Sequence, residues 1–556
     1  MVTLLALLVA CGGGDEPVSQ NTSPDDGVPA PVEPAPAAPD AEGIERLAPH
    51  RLLVRASLDL RGVRPSDDEL ERIEADPDAY EELVDEFLAD ERFADRVMDL
   101  FAEVTLTRTE QYFINLTAYG VEDVPAPVLY ESIGSEALQV IGEVARHDLP
   151  ITELVTADWT MANEVTARLW PLDYPDGETG WKRAHYTDGR PAAGILSGTG
   201  IWWRYRSTDS NANRKRANQA SRILLCNDYL VRPIDFDRNV NLLDEEAIAD
   251  ALKTNPGCVN CHVSLDPLAA YFFGFTSYND DSTDAGRYHP AREREGEDVL
   301  GVTPAFYGDP GSSLADLGWQ IAADHRFPQC MTEHVTELLL RRDAELLDFE
   351  RLTAHREALL AGGLALRPLF RSVVTSPEYV AATDEGLPGT QVPLKMVTPP
   401  LLASQVEGLT GFTWTADGWD LLGSDLVGFL TLAGGADGSF VTQHAKGPNV
   451  TLLLVQERLA EGAASHVIDE DLVADTPRLF DVLSPDTHVD DDPDGAAEQI
   501  AVLHRRIFGT TVALDGPEVT ANLELWHDLY AIEGDPVAAW TGLLTALLRD
   551  PDFLLY

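Results

Sequence analysis

Basic residues are in short supply: 40 lysines and arginines stand against 94 aspartates and glutamates, a formal net charge of −54. A surface this negative repels phosphate backbones, so no nucleic acid is expected as a partner. It suits a protein kept soluble outside the cell. Long apolar runs are lacking too, and none reaches the length of a membrane span. The usual catalytic signatures are missing: there is no glycine-rich phosphate loop, no His-Glu-x-x-His and no Gly-x-Ser-x-Gly. "GILSGTG" at 194–200 holds glycines and a serine, but at the wrong spacing for a nucleophile elbow. Enzymatic activity therefore has no motif to carry it.

What is present points to several cores. A chain of 556 residues exceeds one ordinary core and predicts two to four domains, and an apolar fraction of 44% is enough to fill them. Periodicity from Leu47 onward is mostly helical. "PSDDELERIEADPDAYEELVDEFLADERF" opens on a Pro-Ser cap signal and breaks at Asp76-Pro77. An eleven-residue ending recurs three times, as "LVDEFLADERF" at 83–93, "LFRSVVTSPEY" at 369–379 and "LLTALLRDPDF" at 543–553. Each copy puts apolar residues on one helical face, then a breaker, then an aromatic, and each follows another amphipathic segment. Three helical hairpins closed by an aromatic plug are expected. Strand signals are confined to "TGFTWTADGWDLLG" and "GADGSFVTQHAKGPNVTLLLV", which predict a short hairpin or loop insertions.

Cysteines number only five, which makes their placement informative. Cys11 follows "LLALLVA" and precedes three glycines, so Leu8-Val9-Ala10-Cys11 resembles the lipobox of a bacterial lipoprotein signal, although no Lys or Arg precedes it. Residues 12–44 are a Pro/Ala/acidic tract that cannot form a core and read as an extended tether. Lipidation at Cys11 would hold the chain to a membrane on the periplasmic or outer face. In such a compartment disulfides persist, and Cys226 with Cys330 is a candidate pair, the alternative being two buried thiols.

The last two cysteines form Cys258-x-x-Cys261-His262, just after "DEEAIADALKTNPG", which reads as a helix ended by Asn-Pro-Gly. Two thiols one helical turn apart can each add to a vinyl group of one haem, and the following histidine can bind its iron. Zinc is a rival, although no second Cys-x-x-Cys is present and further ligands would have to come from Cys226, Cys330 or His289. A Cys258–Cys261 disulfide is the other rival. For a sixth ligand the candidates are Met331, Met161 and Met396, or His289, His325 and His334, and a five-coordinate iron is equally allowed. Acidic runs such as "DFDRN" and "DDDPDG" lack the alternating calcium pattern and read as solvated loops, and "WWRY" at 202–205 reads as core or as a cofactor shield.

"ASRILLCNDYLVRPIDFDRN…TNPGCVNCHVSLDPLAAYFFGF" resembles the planctomycete-cytochrome-type domain families, exported bacterial modules mostly without assigned function. Their mark is Cys-x-x-Cys-His followed by Asp-Pro-Leu, here Asp266-Pro267-Leu268. "RASLDLRGVRPSDDEL" resembles their N-terminal module, and "DHRFPQCMTEHVTELLLRRD", with Phe327 and Cys330 in a Phe-x-x-Cys pattern, their closing one. The resemblance implies one covalent haem c on Cys258 and Cys261, with His262 as iron ligand. The family's Arg-Gly appears here as "SNANRKRANQAS", which leaves Arg214 or Arg216 for the haem propionates, against a solvated basic turn. "AAYFFGFTSYNDD" replaces the usual glycine and acidic-aromatic run.

The expectation is thus a mostly α protein of multi-helical modules, with a cytochrome-c-like segment and minor β hairpins. Its divisions are a signal at 1–11, a tether at 12–44, helical modules at 45–150, 301–385 and 386–556, and the cytochrome-like module at 151–300. Envelope electron transfer with an unidentified redox partner is the expected role. The alternative is a non-enzymatic surface-binding scaffold lipoprotein in which Cys258 and Cys261 form a disulfide or zinc staple.

Overall fold

The protein is described here from a computed structural model, which covers residues 44–231, 244–276, 282–345, 348–383 and 394–556. Cys11, nearly all of the 12–44 tract and the "DFDRN" run at 235–239 lie outside the described residues. Twenty-four α-helices carry the fold among those residues. The strands form only three antiparallel hairpins: β1 (Thr160–Ala162) with β2 (Lys182–Ala184), β3 (Ala305–Phe306) with β4 (Asp309–Pro310), and β5 (Thr415–Ala416) with β6 (Trp419–Asp420). The chain is mostly α, with minor hairpins. Of the two strand signals, "TGFTWTADGWDLLG" forms the β5–β6 hairpin, while the second is a turn-rich loop leading into the helix Val450–Asp471.

Each repeated ending closes a set of three helices rather than a hairpin. The sets are Pro49–Arg61, Asp67–Ala75 and Tyr80–Ala89; Arg326–Leu340, Phe349–Ala361 and Leu366–Val374; and Pro493–Phe508, Pro517–Glu533 and Pro536–Leu548. In all three the first helix stops at a left-handed residue: Gly62 (φ 73°), Arg341 (φ 54°) and Gly509 (φ 70°). A Ser66–Glu69 capping box then starts the second helix of the first set. The aromatic plugs Phe93, Tyr379 and Phe553 are all buried. Phe93 meets Phe370 edge to face at 5.2 Å, so the first two sets share one core.

Two large cores lie within the compact unit Ala41–Tyr556. One draws on residues from Leu52 to Val380, the other on Met396 to Tyr556. The helix Pro49–Arg61 serves both, giving Leu53, Ala56 and Leu60 to the first and Val54 and Leu58 to the second. Every residue from Leu52 to Arg61 is buried, and fully burying one such leucine contributes about 1.5–3 kcal/mol.

The ends of both segments close alike. Arg46 bridges Ala381 and Met396 bridges Leu555, each in an antiparallel backbone pair just before a helix that starts with proline. The two closures meet at Asp59, whose carboxylate accepts the Tyr379 hydroxyl at 2.6 Å, the Tyr556 hydroxyl at 2.9 Å and the Lys395 ammonium. Asp59 and Lys395 are almost fully buried, so each would be very costly without the other.

The stretch "GILSGTG" is a packing element. Gly194 has φ +52° and lies against the Leu154 carbonyl, where a Cβ would come within 2.2 Å, and Gly200 would clash with the Ile133 carbonyl at 2.3 Å. "WWRY" is core: Trp202 and Trp203 are buried, and Arg204 donates to the carbonyls of Leu106 and Gly438. In "DDDPDG", Asp492 caps the helix Pro493–Phe508 by accepting from the Gly495 amide, so this run starts a helix and is not simply a solvated loop.

Candidate functional site

Cys258, Cys261 and His262 stand on the first turns of the helix Pro256–Ala269. The preceding helix, Glu245–Thr254, stops at Asn255, and the Asn255 side chain accepts from the Gly257 amide to start the new one. Pro256 at the first helical position gives up an amide that has no partner there in any case. Both thiols are free and half-buried, one turn apart on the same face. Cys261 packs against the first core.

One turn further on lies Asp266, and it organises the site. The His262 ring nitrogen Nδ1 is 2.8 Å from Asp266 Oδ1. Arg214 grips the same carboxylate through Nε at 2.7 Å and Nη2 at 3.1 Å. Burial by itself would raise the Asp266 pKa, but the hydrogen bonds from His262 and Arg214 outweigh it and hold the carboxyl below its usual range. An ionised carboxylate only accepts, so Nδ1 carries the proton and Nε2 is the lone-pair nitrogen of the neutral ring. A carboxylate behind an imidazole fixes ring orientation and raises its basicity toward a metal.

Arg214 opens the helix Arg214–Leu225, after two left-handed residues, Ala212 (φ 48°) and Asn213 (φ 63°). Arg216, on the same helix, is buried and donates to the Thr276 carbonyl at 3.0 Å, holding the end of "AAYFFGFT". The basic stretch is therefore neither a solvated turn nor a row of unengaged arginines. Its guanidinium groups are spent on Asp266, on the Asn213 side chain and on main-chain carbonyls. The role of Asp266 was missed in the sequence, although its signal was there: His262 and Asp266 are four apart, which on a helix means adjacent.

The remaining candidates are dispersed. Met331 is buried in the helix Arg326–Leu340, Met161 in β1, and Met396 belongs to the second core whereas the Cys258 helix packs on the first. His289 donates its backbone amide to the Gly274 carbonyl, and the His325 side chain is exposed. Cys226 and Cys330 form a disulfide with Cα atoms 5.2 Å apart. His334 lies beside it, and burial pushes its pKa down to about 4, leaving the ring neutral.

Residues 37–119 match the family PSCyt2, described as a protein of unknown function (DUF1549), so this segment is similar to a planctomycete-cytochrome-type domain. It covers the first helical set and ends before the Cys258 helix begins. No curated protein and no solved structure matches the chain.

Proposed function

We propose that the protein is an exported lipoprotein that carries one covalent haem c and transfers electrons at the cell envelope. The observation that carries this reading is the His262–Asp266–Arg214 relay beside two free thiols one helical turn apart. The donor set suits the group: Cys258 and Cys261 would hold the porphyrin, and His262 Nε2 would face the iron. When bound, the haem supplies one-electron redox chemistry. Asp266 keeps the Nδ1 proton in place, and Arg214 keeps Asp266 ionised and oriented. Lipidation at Cys11 would tether the chain to its membrane, and no helix among the described residues is long and apolar enough to cross one.

A pyridine haemochrome spectrum tests this reading. The protein is exported from a host with cytochrome c maturation machinery, beside a Cys258→Ala/Cys261→Ala control. A c-type α-band that survives denaturation and vanishes in the control is expected. A colourless wild-type protein, from a host that matures another c-type cytochrome, would refute it and leave the second reading, a surface scaffold. That reading is supported by the repeated helical sets, although Cys258 and Cys261 are free and do not form the disulfide staple it expects.

A further inference from the structure

The Cys226–Cys330 disulfide is more than a cross-link in an apolar core, because a half-buried imidazole faces both sulfurs. His334 Nε2 is 3.3 Å from Cys330 Sγ and 3.6 Å from Cys226 Sγ. Their three ligand atoms lie within 4.8 Å of one another. Zinc–sulfur and zinc–nitrogen bonds of about 2.3 and 2.0–2.1 Å at a tetrahedral angle place S and N about 3.5 Å apart. Both sulfur–nitrogen separations already fall at that value. The sulfurs have to move from bonding distance to about 3.8 Å by rotation of the two cysteine side chains, and the His334 ring has to turn off the Ile223 carbonyl that its Nε2 meets at 3.0 Å.

We propose that reduction of this disulfide exposes a Cys2His site for a soft or borderline metal ion, of the zinc or copper(I) class, formed by Cys226, Cys330 and His334. Reduction breaks the S–S bond: a dithiol supplies two electrons and two protons and leaves as its own disulfide. The reduced state has partners waiting. Cys226 Sγ is 3.6 Å from the Cys330 carbonyl, and Cys330 Sγ is 3.7 Å from the Ile223 carbonyl, so each thiol has an acceptor. Metal binding then releases both thiol protons to solvent.

The imidazole shifts its proton from Nε2, which donates to the Ile223 carbonyl at 3.0 Å, to Nδ1. Three protein donors leave one tetrahedral position, which water fills on the half-buried Cys226 side. Cys226 closes the helix Arg214–Leu225 in a left-handed conformation (φ 49°), a position that places its sulfur toward the neighbouring helix Arg326–Leu340. The disulfide and the metal are therefore alternative clamps on the same pair of helices. This site is independent of the haem reading.

Cobalt(II) titration of the full chain tests it, in a Cys258→Ser/Cys261→Ser background that removes the other thiol pair. The protein is reduced with a phosphine, freed of reductant without air and titrated beside its oxidised form. One Co2+ per reduced chain is expected, with a thiolate-to-cobalt charge-transfer band, displaced by one equivalent of Zn2+ and absent from the oxidised form. His334→Gln keeps a donor for the Ile223 carbonyl but removes the imidazole, and it should weaken binding at least tenfold. A reduced chain without the charge-transfer band overturns the proposal. So does a band of unchanged strength and affinity in His334→Gln, because thiols of an unfolded chain would bind cobalt without the histidine.

Discussion

Replacing Asp266 probes the candidate site most directly. Its carboxylate is nearly buried and takes two hydrogen bonds from Arg214 and one from His262, whose side chains are about one-fifth exposed (19% and 21%). Removing one partner of a fully buried ion pair costs about 3–5 kcal/mol, and the partial exposure of both donors reduces that to about 2–3 kcal/mol. At 1.4 kcal/mol per decade, Asp266→Ala should speed amide exchange in the helix Pro256–Ala269 by roughly 30- to 150-fold. Asp266→Asn retains an acceptor for His262 but loses the charge that holds Arg214, so roughly tenfold is expected.

Hydrogen-exchange mass spectrometry on peptides spanning 254–269 reads this directly, with the helix Pro536–Leu548 in the second core as an internal reference. The pH dependence has a definite sign. Asp266 has a folded pKa below its unfolded value, so its contribution is complete above about pH 4 and is lost as pH falls through the lower folded pKa. Exchange in Asp266→Ala within a factor of two of wild type would refute the relay as the element that organises the site.

Three further outcomes are expected. Cys226→Ser/Cys330→Ser opens a loop of 104 residues, which in the chain-entropy model costs about 4–5 kcal/mol; chemical denaturation of the oxidised proteins measures it, and an unchanged midpoint would contradict the clamp. Burial pushes Lys395 down to about 7 against Asp59's pull, far below about 10.4 in an unfolded chain. Between those values the unfolded chain binds more protons, so this group's contribution to stability rises with pH, and Lys395→Met should flatten the Tm increase between pH 7 and pH 10. Cys11→Ser should abolish incorporation of labelled palmitate and release the protein from the membrane fraction; retained label would remove the lipoprotein reading.

Much of the local architecture was legible in the residues. The Pro-Ser cap at Ser66, the break at Asp76-Pro77 and the helix ending at Asn255 all rest on signals within a few positions of one another, because capping and periodicity are local. The three repeated endings were legible for the same reason, although the sequence suggested hairpins where three helices stand. The extra helix escaped notice because each preceding amphipathic segment reads as one helix, although a left-handed residue, Gly62, Arg341 or Gly509, breaks it into two.

What only the tertiary structure decided is which distant residues meet. Arg214 reaches Asp266 across 52 positions, His334 approaches a disulfide partner from 108 positions away, and Asp59 collects Tyr379, Lys395 and Tyr556. None of these pairings follows from spacing, since each was chosen by the burial of whole helices and by the need of a buried charge for a partner. The thiol pair and its histidine belong to the sequence by itself. The carboxylate four positions on lies within reach of the same local spacing, and the guanidinium that grips it belongs to the fold.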